Sequence, residues 1–591
     1  MTSGRAPTGF INYPTPQVHD IPYKAPPPNT NPVLKGLLLH YLSPIVLSIP
    51  GVPSFLWNNA GFTTLRNKKE LNNIPARYEP TVIRLSQVSD TAPVSLTIDE
   101  VGQANILPAE APGRFHTTLD FHHAYKAGKI TPTDVIEKLL PLIRRDVAQR
   151  SPHSTAFVDT NIELVRKAAA ASTKRWREGK PLGILDGVPF SGKDELSIKG
   201  YKRFDGTKKD HSNGNEAETS WCVTKLEELG AIFVGKTSMH EIGMDTNNNN
   251  PNWGTPLNPY NAQYYCGGSS GGSAYTVAAG LVPFSVAADG GGSIRIPSNY
   301  CGLYGLKPSH GRISIAPATC HLSTTTVRGP IAANMTDLKI AYHALAQPDP
   351  SHPTSSQFAA PAVSASPSKK TIGIPRAWFD RADPSVQEAC LTALSYLHTH
   401  LDYTIIDISI PLLHEGQMAH SMTILSETCS SGPDLKIMTP ATNILMRVAQ
   451  CTPATDFLLA QRLRNLISQH LAHLFQTHPG LIIVTPTTPN AGWPIGAGEL
   501  AYGVSDANTQ IRNMEYVWLA NFVGTPCIQV PVGYAEAVQG EGKVPVGMSG
   551  MGEWGSEDLL LEFGSDAEKW LNEGSGGGRL KPKGWVDVLG A

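Results

Sequence analysis

The sequence predicts an α/β protein whose β-sheet is buried among helices. Segments with helical spacing of apolar residues alternate with short apolar runs of strand length from about residue 115, and this alternation returns after about residue 370. Apolar residues make up 41% of the 591-residue chain, which is enough for a sizeable core. At this length we expect one large domain with an appendage rather than a string of small modules.

The appendage is predicted at residues 1–112, which are rich in proline and asparagine. Its start lacks the charged segment, short apolar core and cleavage site of a signal peptide. The apolar stretch 33–57 is interrupted by Pro44, Pro50 and Pro53, so it is too short to span a bilayer and predicts one or two short helices joined by a proline bend. We expect these helices either to pack on the domain or a second subunit, or to contact a membrane or cover an apolar channel.

The first helix of the main domain is predicted from its N-terminal signals. Thr131 is suited to the N-cap, Pro132 to the first helical position and Asp134 to the first turn. Apolar side chains then recur with helical spacing up to residue 143. Further helices are predicted at 162–176, 221–229 and 386–398, and strands at 231–234, 372–374, 481–484 and 527–532.

Two segments of low complexity predict irregular structure in the second half of the chain. The stretch at about 350–370 is rich in proline, serine and alanine, which indicates a surface excursion. The Gly/Ser-rich segment 574–578 predicts a flexible tail.

Charge and cysteine usage argue against several classes of protein. The 48 basic residues nearly balance the 50 acidic ones, so electrostatics gives no reason to expect nucleic acid or an anionic membrane as the main partner. The eight cysteines are scattered, without a Cys-x-x-Cys pair or a histidine at metal-ligand spacing. We therefore expect reduced thiols in an intracellular protein that is cytoplasmic or peripherally associated with a membrane, with no bound metal.

Two glycine-serine blocks form the most informative part of the chain. The first is Cys-Gly-Gly-Ser-Ser-Gly-Gly-Ser at 266–273, and the second is Asp-Gly-Gly-Gly-Ser-Ile-Arg-Ile-Pro at 289–297. Small residues at 274–279 predict a closely packed helix between the blocks, and 284–288 predicts a buried strand that leads into the second. The two serine-bearing turns are thus expected to lie close together.

The glycines before Ser293 are suited to acyl-transfer chemistry. Consecutive glycines let the backbone approach a ligand and point several amides in one direction. The amides of Gly290, Gly291 and Gly292 are therefore candidates to stabilise the oxyanion that forms when the Ser293 hydroxyl attacks a carbonyl.

Two other motifs share parts of this pattern. A phosphate-binding loop would bring Gly-Lys-Ser/Thr, or Gly-x-Gly-x-x-Gly opening a helix, and neither form is present. The Gly-x-Ser-x-Gly nucleophile elbow matches 267–271, but the preceding segment 261–265 is polar and aromatic rather than an apolar strand. The elbow also requires a histidine and an acid, and no spacing favours either His310 or His352.

The block 267–312 resembles the amidase signature. Gly-Gly-Ser-Ser-Gly-Gly is followed there by Asp-x-Gly-Gly-Ser-Ile-Arg-x-Pro and then by Cys-Gly-Leu-Tyr-Gly-Leu-Lys-Pro at 301–308. The third element of that family, an upstream lysine in a Gly-x-Pro…Lys-Asp context, is matched at 187–194. The spacing of the lysine and the two serines agrees with the family pattern.

Within this family the chain most resembles the plant-type fatty acid amide hydrolases, over about residues 115–550. The resemblance rests on Lys-Thr-Ser-Met-His-Glu-Ile-Gly-Met at 236–244, on Gly290, and on the N-terminal apolar helices. The segments 249–259, 484–488 and 521–534 add to it. The departures are Ser191-Gly192 before the lysine and a divergent end after Met548.

The resemblance implies a large twisted mixed β-sheet covered by helices on both faces. It also implies two parts, an extension at 1–112 with its apolar helices at 33–57 and a catalytic domain at 113–591. It assigns a catalytic triad in which Ser293 is the nucleophile, Ser269 bridges it to Lys193, and the peptide bond before Ser269 is cis. No cofactor is implied.

The remaining site residues are assigned supporting roles. Lys193 has to be neutral to act as a base, which burial without a carboxylate partner would allow, so we expect the Asp194 side chain to turn away and bind backbone amides. Ser270 is expected to support the hydroxyl network, and Arg295 to pair with Asp289 and brace the oxyanion turn unless it lies at the surface. His240 and Glu241 resemble a fragment of a metal motif, but no second histidine follows at i+4, so we interpret them as structural.

These residues together predict a serine amidase that acts through an acyl-enzyme. The substrates expected from the resemblance are fatty acid amides such as N-acylethanolamines. The alternatives are an amidase for small carboxamides or a secondary metabolite, a component of a glutamine-dependent amidotransferase, and a scaffold with an inactive site. We expect a homodimer with a small-molecule substrate, no nucleic-acid partner, and peripheral membrane contact through 33–57 as a further hypothesis.

Overall fold

A computed structural model describes most of the chain. It covers residues 9–26, 30–85, 107–108, 111–212, 218–317, 322–361, 370–574 and 578–590. The predicted excursion at 350–370 and the predicted tail at 574–578 lie partly outside the described residues, as does Cys320. The other seven cysteines are free thiols.

The strands of the described residues alternate along the chain with the helices. They are β1 (Phe10–Ile11), β2 (Leu34–Lys35), β3 (Ile83–Arg84), β4 (Phe157–Asp159), β5 (Pro189–Lys193), β6 (Ile232–Thr237), β7 (Phe284–Asp289), β8 (Tyr304–Lys307), β9 (Val327–Ala332), β10 (Thr371–Ile374), β11 (Thr404–Asp407), β12 (Leu481–Pro486), β13 (Val504–Ser505), β14 (Cys527–Glu536) and β15 (Lys543–Met551).

The α-helices of the described residues fall into two groups, before and after residues 362–369. The first group is α1 (Gly36–Ser48), α2 (Val52–Asn59), α3 (Thr118–Lys126), α4 (Pro132–Ile143), α5 (Ile162–Arg177), α6 (Trp221–Glu228), α7 (Gly271–Ala278), α8 (Arg295–Tyr300) and α9 (Met335–Leu345). The second is α10 (Arg376–Phe379), α11 (Pro384–Leu401), α12 (Leu413–Ser430), α13 (Pro440–Ala449), α14 (Ala454–Thr477), α15 (Glu499–Tyr502), α16 (Ala507–Asn513), α17 (Trp518–Val523) and α18 (Glu557–Lys569).

Eleven of the strands form one mixed sheet in the order β11-β10-β12-β15-β14-β8-β9-β7-β5-β6-β4. Parallel pairing occurs in β11-β10-β12 and in β7-β5-β6, and the strands between these groups pair antiparallel. Every residue of β5, β6, β7, β9 and β12 is buried. Because successive side chains of a strand point to opposite faces, both faces of this sheet are covered, as the sequence predicted.

Local signals placed the predicted helices correctly. The Thr131 side chain accepts a hydrogen bond from the Asp134 amide, and the Asp134 carboxylate accepts one from the Thr131 amide, which completes a capping box at the start of α4. The predicted helices at 162–176, 221–229 and 386–398 correspond to α5, α6 and α11.

The N-terminal apolar stretch forms α1 and α2, which bend by 109° at the break between them. None of the described helices is long and apolar enough to cross a membrane alone, although α1 and α2 together meet that length and composition. One side of the pair packs inward, with Leu39 and Trp57 buried. The other side is exposed, with Leu38 at 63%, Tyr41 at 67% and Phe55 at 61% exposure.

Candidate active site

The parallel strands β5 and β7 bring the predicted lysine and both serine blocks to one edge of the sheet. Lys193 is the last residue of β5, and Asp289, which opens the second block, is the last residue of β7. Because β5 pairs with β7 in parallel, both strands end on the same side. Lys193, Ser269 and Ser293 accordingly line one cavity.

Lys193 and Ser269 are in direct contact. The Nζ of Lys193 donates a hydrogen bond to the Ser269 hydroxyl at 2.9 Å, although 76 residues separate them in the chain. Both residues are buried, at 2% and 1% exposure. The peptide bond between Gly268 and Ser269 is cis, as the resemblance implied.

Small residues explain why Ser269 sits in so tight a turn ahead of α7. A Cβ added at Gly272 would lie 2.4 Å from the Ser238 carbonyl oxygen, and one added at Gly268 would lie 2.7 Å from the Asn248 amide nitrogen. Any larger residue at these two positions would push the turn away from its neighbours. The neighbouring Ser270 donates its hydroxyl to the Ala288 carbonyl at 3.2 Å, so it ties the first block to β7.

A buried ion pair holds the second serine-bearing turn. Arg295 donates from Nε and Nη2 to the Asp289 carboxylate at 3.0 and 2.9 Å, and neither side chain is exposed. Although burial opposes ionisation of Asp289, the charge of Arg295 prevails and holds the pKa of that carboxyl below its usual range. Arg295 is therefore an interior brace, and the surface position considered from the sequence is wrong.

The three glycines before Ser293 do not have equal roles. The amide of Gly292 donates to Asp289 Oδ1 at 2.7 Å, so it closes the turn and is already engaged. This corrects the expectation that Gly292 stands with Gly290 and Gly291 as an oxyanion donor, since a carboxylate at the end of β7 competes for its amide. Gly290 and Gly291 line the cavity.

His420 on α12 binds the backbone of this glycine segment. Its Nε2 lies 2.9 Å from the Gly290 carbonyl oxygen. A carbonyl accepts hydrogen bonds only, so Nε2 carries the proton. Burial lowers the pKa of His420 to about 3, so the ring is neutral.

Whether Lys193 can act as a base depends on its electrostatic surroundings. Burial is the main cause that lowers the pKa of Lys193 from its ordinary value. Asp194 turns away as expected, and its carboxylate accepts hydrogen bonds from the amides of Phe204 at 3.1 Å and Gly206 at 2.9 Å. Glu195 was not anticipated, and its Oε1 lies 3.3 Å from Lys193 Nζ.

His240 and Glu241 are placed differently from one another. The Glu241 carboxylate accepts hydrogen bonds from Asn252 and Thr439 and is buried, which is a structural role. His240 lines the cavity, and burial lowers its pKa to about 4. No group of three or more potential metal ligands occurs among the described residues.

The histidines considered for a nucleophile elbow are engaged elsewhere. His310 contacts the Thr81 hydroxyl at 2.6 Å and the Ser323 carbonyl at 3.0 Å, and His352 accepts from the Ser355 amide at 3.1 Å. Neither lines the cavity that holds Ser269. The structure therefore pairs Ser269 with a lysine rather than with a histidine.

The cavity has a volume of about 470 Å³, which falls in the range of small-molecule sites. Lys193, Ser269 and Ser293 lie in its wall, and most of the lining surface is apolar. Most of the apolar wall comes from the N-terminal helices and from the segment between residues 424 and 511. Its contributors include Leu34, Val46, Val52, Phe55, Leu56, Ile424, Leu425, Ile444, Leu445, Val448, Val504 and Ile511.

Comparison with known proteins identifies the family. The sequence pattern of the amidase family matches residues 142–561, well over half of the chain. The chain belongs to the amidase family. It is an amide-hydrolysing enzyme with an α/β fold.

Individual members of the amidase family are similar to this chain over most of their length. A fatty acid amide hydrolase from Medicago truncatula is 33% identical over 498 residues, which cover 82% of this chain and 80% of the relative. Another, from Arabidopsis thaliana, is 31% identical over 472 residues, which cover 77% of this chain and 76% of the relative. A crystal structure of an amidase superposes with a TM-score of 0.65 at 25% identity, covering 77% of this chain and 99% of that one.

Three residues at the site of this amidase were missed by sequence reasoning. Glu195 and Arg328 line the cavity beside Lys193, and His420 binds the glycine segment. Glu195 follows Lys193 by two positions and could have been suspected from that proximity. Arg328 and His420 carry no local signal, because only the folding of β9 and α12 onto the site brings them there.

Proposed function

We propose that this amidase hydrolyses long-chain N-acyl amides, such as N-acylethanolamines, through an acyl-enzyme on Ser293. The single observation that carries the chemistry is the 2.9 Å contact between Lys193 Nζ and Ser269 Oγ at the end of a largely apolar cavity. A buried amine bonded to a hydroxyl is the pairing that a lysine base needs to activate a serine.

The steps follow from this arrangement. Lys193 takes the proton of Ser269, Ser269 takes that of Ser293, and the Ser293 oxygen forms a bond to the amide carbonyl carbon. The oxyanion is stabilised by backbone amides of the segment around Gly290 and Gly291. Ser269 then returns a proton to the amide nitrogen as the C–N bond breaks, because an amine is a poor leaving group. Water attacks the acyl-Ser293 ester and releases the acid.

The apolar wall of the cavity supports a lipid substrate over a small carboxamide. Burying a CH₂ group against apolar side chains contributes roughly 0.8 kcal/mol, so a long acyl chain adds binding energy that acetamide lacks. The similarity to fatty acid amide hydrolases from Medicago and Arabidopsis supports the same substrate class. Lys193 and Ser269, where the reacting amide would lie, belong to the smaller polar part of the cavity lining.

We further propose that α1 and α2 contact a lipid surface and admit substrate from it. No Asp, Glu, Lys or Arg occurs between residues 36 and 59. Leu38, Tyr41 and Ile45 of α1 are exposed, whereas Val52 and Leu56 of α2 line the cavity. An apolar face of this kind that adjoins a lipid-binding cavity is typical of an interfacial helix.

The nucleophile and the substrate class are tested on the purified full-length protein. A fluorophosphonate probe should label the wild type and fail to label Ser293→Ala. Turnover of a long-chain N-acylethanolamine should exceed that of acetamide. Labelling of Ser293→Ala at the wild-type level would contradict the proposed nucleophile. Turnover of acetamide alone would instead favour the small-carboxamide alternative.

The lipid contact is tested with zwitterionic phosphatidylcholine vesicles, because the helix pair carries no charged residue that would select an anionic surface. Replacing Leu38, Tyr41 and Ile45 together with Gln should reduce co-sedimentation with the vesicles. Val538→Gln serves as the control, because Val538 is exposed on a different part of the protein. If the triple variant instead dissociates a dimer without altering vesicle binding, the exposed face is an interface between two copies of the chain.

A further inference from the structure

Glu195 contacts two buried basic side chains in the cavity wall. Its Oε1 lies 3.3 Å from Lys193 Nζ and 2.5 Å from Arg328 Nη1. The side chains of Lys193 and Arg328 are each 3% exposed, whereas that of Glu195 is 22% exposed, and all three line the cavity. Glu195 therefore contacts both Lys193 and Arg328 and also faces the space that a substrate would fill.

The sheet fixes this arrangement in place. Lys193 ends β5, Glu195 follows it by two residues, and Arg328 is the second residue of β9. Arg328 pairs in register with Ala288 of β7, the strand that leads into the Ser293 turn. Lys193 and Arg328 are thus held by buried strands, and Glu195 by the turn that follows β5.

We infer that Glu195 and Arg328 form a positioning pair that sets the protonation state of Lys193, in which Arg328 competes for the Glu195 carboxylate and leaves the lysine free to act as a base. This inference rests on the proposed function only in that Lys193 is taken as the base. Neither Glu195 nor Arg328 belongs to the amidase motif from which the triad was assigned.

Glu195 and Arg328 act on the charge of Lys193 in opposite directions. A carboxylate within about 4–6 Å of an amine stabilises the ammonium form by roughly 1–3 pKa units, so Glu195 alone would keep Lys193 protonated. Arg328 lies closer to the carboxylate than Lys193 does, and its own positive charge opposes a second cation nearby. With Arg328 present, burial and like-charge repulsion together lower the pKa of Lys193 despite Glu195.

Other charged groups around Lys193 are already neutralised or uncharged. Asp289 at the end of β7 is paired with Arg295. On the loop after β6, His240 has a pKa lowered to about 4 by burial, so it is neutral near pH 7. Asp194 is turned toward backbone amides and lies 3.6 Å from Lys236.

Cys222 on α6, which faces Arg328, is also uncharged. Burial raises the pKa of the Cys222 thiol to about 11, so it does not compete with Glu195 for the guanidinium near pH 7. Arg203 and Asp205, farther along the same cavity wall, form their own contact at 3.5 Å. Glu195 is therefore the carboxylate of the described residues on which the charge of Lys193 chiefly depends.

The test is the pH dependence of kcat/KM for Glu195→Gln, Arg328→Gln and the double variant. The acidic limb of this pH profile reports the loss of the proton from Lys193. In Arg328→Gln, Glu195 pairs with Lys193 alone, so the acidic limb should move at least one pH unit upward. Activity below that limb should then fall about tenfold and recover at alkaline pH. In Glu195→Gln the limb should move downward, and the double variant should lie between the two single variants.

One further variant and a second readout keep the result interpretable. Arg328→Lys retains a cation and should return the limb toward its wild-type position. The rate of fluorophosphonate labelling of Ser293 should follow the same shifts without any dependence on product release. A purely structural role would lower the rate equally at all pH values and leave the limb in place.

Opposite outcomes separate the two proposals. If both single variants leave the limb unmoved, or move it in the same direction, the positioning pair is overturned. If Arg328→Gln does not fold, Glu195→Gln still decides, because an unmoved or upward limb overturns the inference. Retention of labelling in Ser293→Ala would instead overturn the proposed function.

Discussion

His420 donates a hydrogen bond from Nε2 to the Gly290 carbonyl oxygen at 2.9 Å. The C=O of Gly290 and the N–H of Gly291 belong to one planar trans peptide, so they point in opposite directions. Fixing the Gly290 carbonyl toward His420 therefore also fixes the direction of the Gly291 amide, and both glycines line the cavity. In the proposed mechanism, His420 is therefore a positioning residue for the Gly291 amide, a candidate oxyanion donor, and does not itself line the cavity.

Replacing His420 should slow the chemical step more than it weakens binding. We expect His420→Ala to lower kcat by roughly ten- to a hundredfold, somewhat less than loss of a whole oxyanion donor, with little change in KM. His420→Gln retains an N–H donor and should recover part of the loss. Thr428→Val on the same helix, which removes only a hydrogen bond to the Ile424 carbonyl, should leave kcat unchanged. A rise in KM alone would contradict this role.

Breaking the buried ion pair under the Ser293 turn should destabilise the enzyme. Asp289→Asn leaves Arg295 as a buried charge without its carboxylate, which costs about 3–5 kcal/mol in the free energy of unfolding, measured by urea denaturation. Asp146→Asn removes a similar contact to Arg144, but at the surface, where the Asp146 side chain is 60% exposed. We expect no measurable change there. Equal stability of the two variants would show that the Asp289–Arg295 pair is not a brace.

Narrowing the apolar part of the cavity should act selectively on long substrates. Leu445 on α13 lines the cavity, so Leu445→Trp should raise KM for a long-chain amide severalfold and leave the turnover of a short amide unchanged. Leu458→Trp on α14 is the control, because Leu458 is 43% exposed and outside the cavity. An equal effect on short and long substrates would place the acyl chain elsewhere.

The contribution of Glu568 on α18 to the stability of the fold should fall as pH rises through neutrality. Burial raises the pKa of this carboxyl to about 7 from an ordinary value of 4.5. The folded state holds the proton more tightly than the unfolded chain, so its stabilisation is complete below pH 4.5 and is lost as pH rises through 7. It amounts to at most about 3 kcal/mol.

Glu568→Gln removes that titration and keeps the shape of the side chain. The melting temperature of this variant should therefore depend less on pH between about 5 and 8 than that of the wild type. Glu178→Gln, at a side chain that is 50% exposed, should follow the wild-type curve. Parallel curves for all three proteins would show that Glu568 does not titrate in this window.

Sequence reasoning succeeded where the signal was local. The capping box at Thr131 and Asp134 lies within one helical turn. The two serine blocks are short motifs that can be recognised from their residues and from the spacing between them. It also placed Asp194 correctly, because a lysine base cannot share a buried site with an unpaired carboxylate beside it.

It failed where the outcome depended on which strands become neighbours. Arg328 contacts Glu195 only because β9 pairs with β7, and no motif near residue 328 predicts that contact. Gly292 was predicted to be an oxyanion donor because three consecutive glycines precede Ser293, whereas its amide donates to the Asp289 carboxylate. Sequence spacing predicts which residues are close but not which hydrogen bond prevails among several.

The two-residue strand β2 joins the start of the chain to the cavity wall. It pairs antiparallel with β13, and the Gly36 amide donates to the Gly503 carbonyl at 3.0 Å. Leu34 on one strand and Val504 on the other both line the cavity. Lys193 and the turn that carries Ser293 are held at the ends of β5 and β7 in the large sheet, whereas part of the apolar cavity wall is attached through this small ladder. Related enzymes could therefore diverge in substrate preference by exchanging their leading segment, while the machinery for hydrolysis is inherited intact.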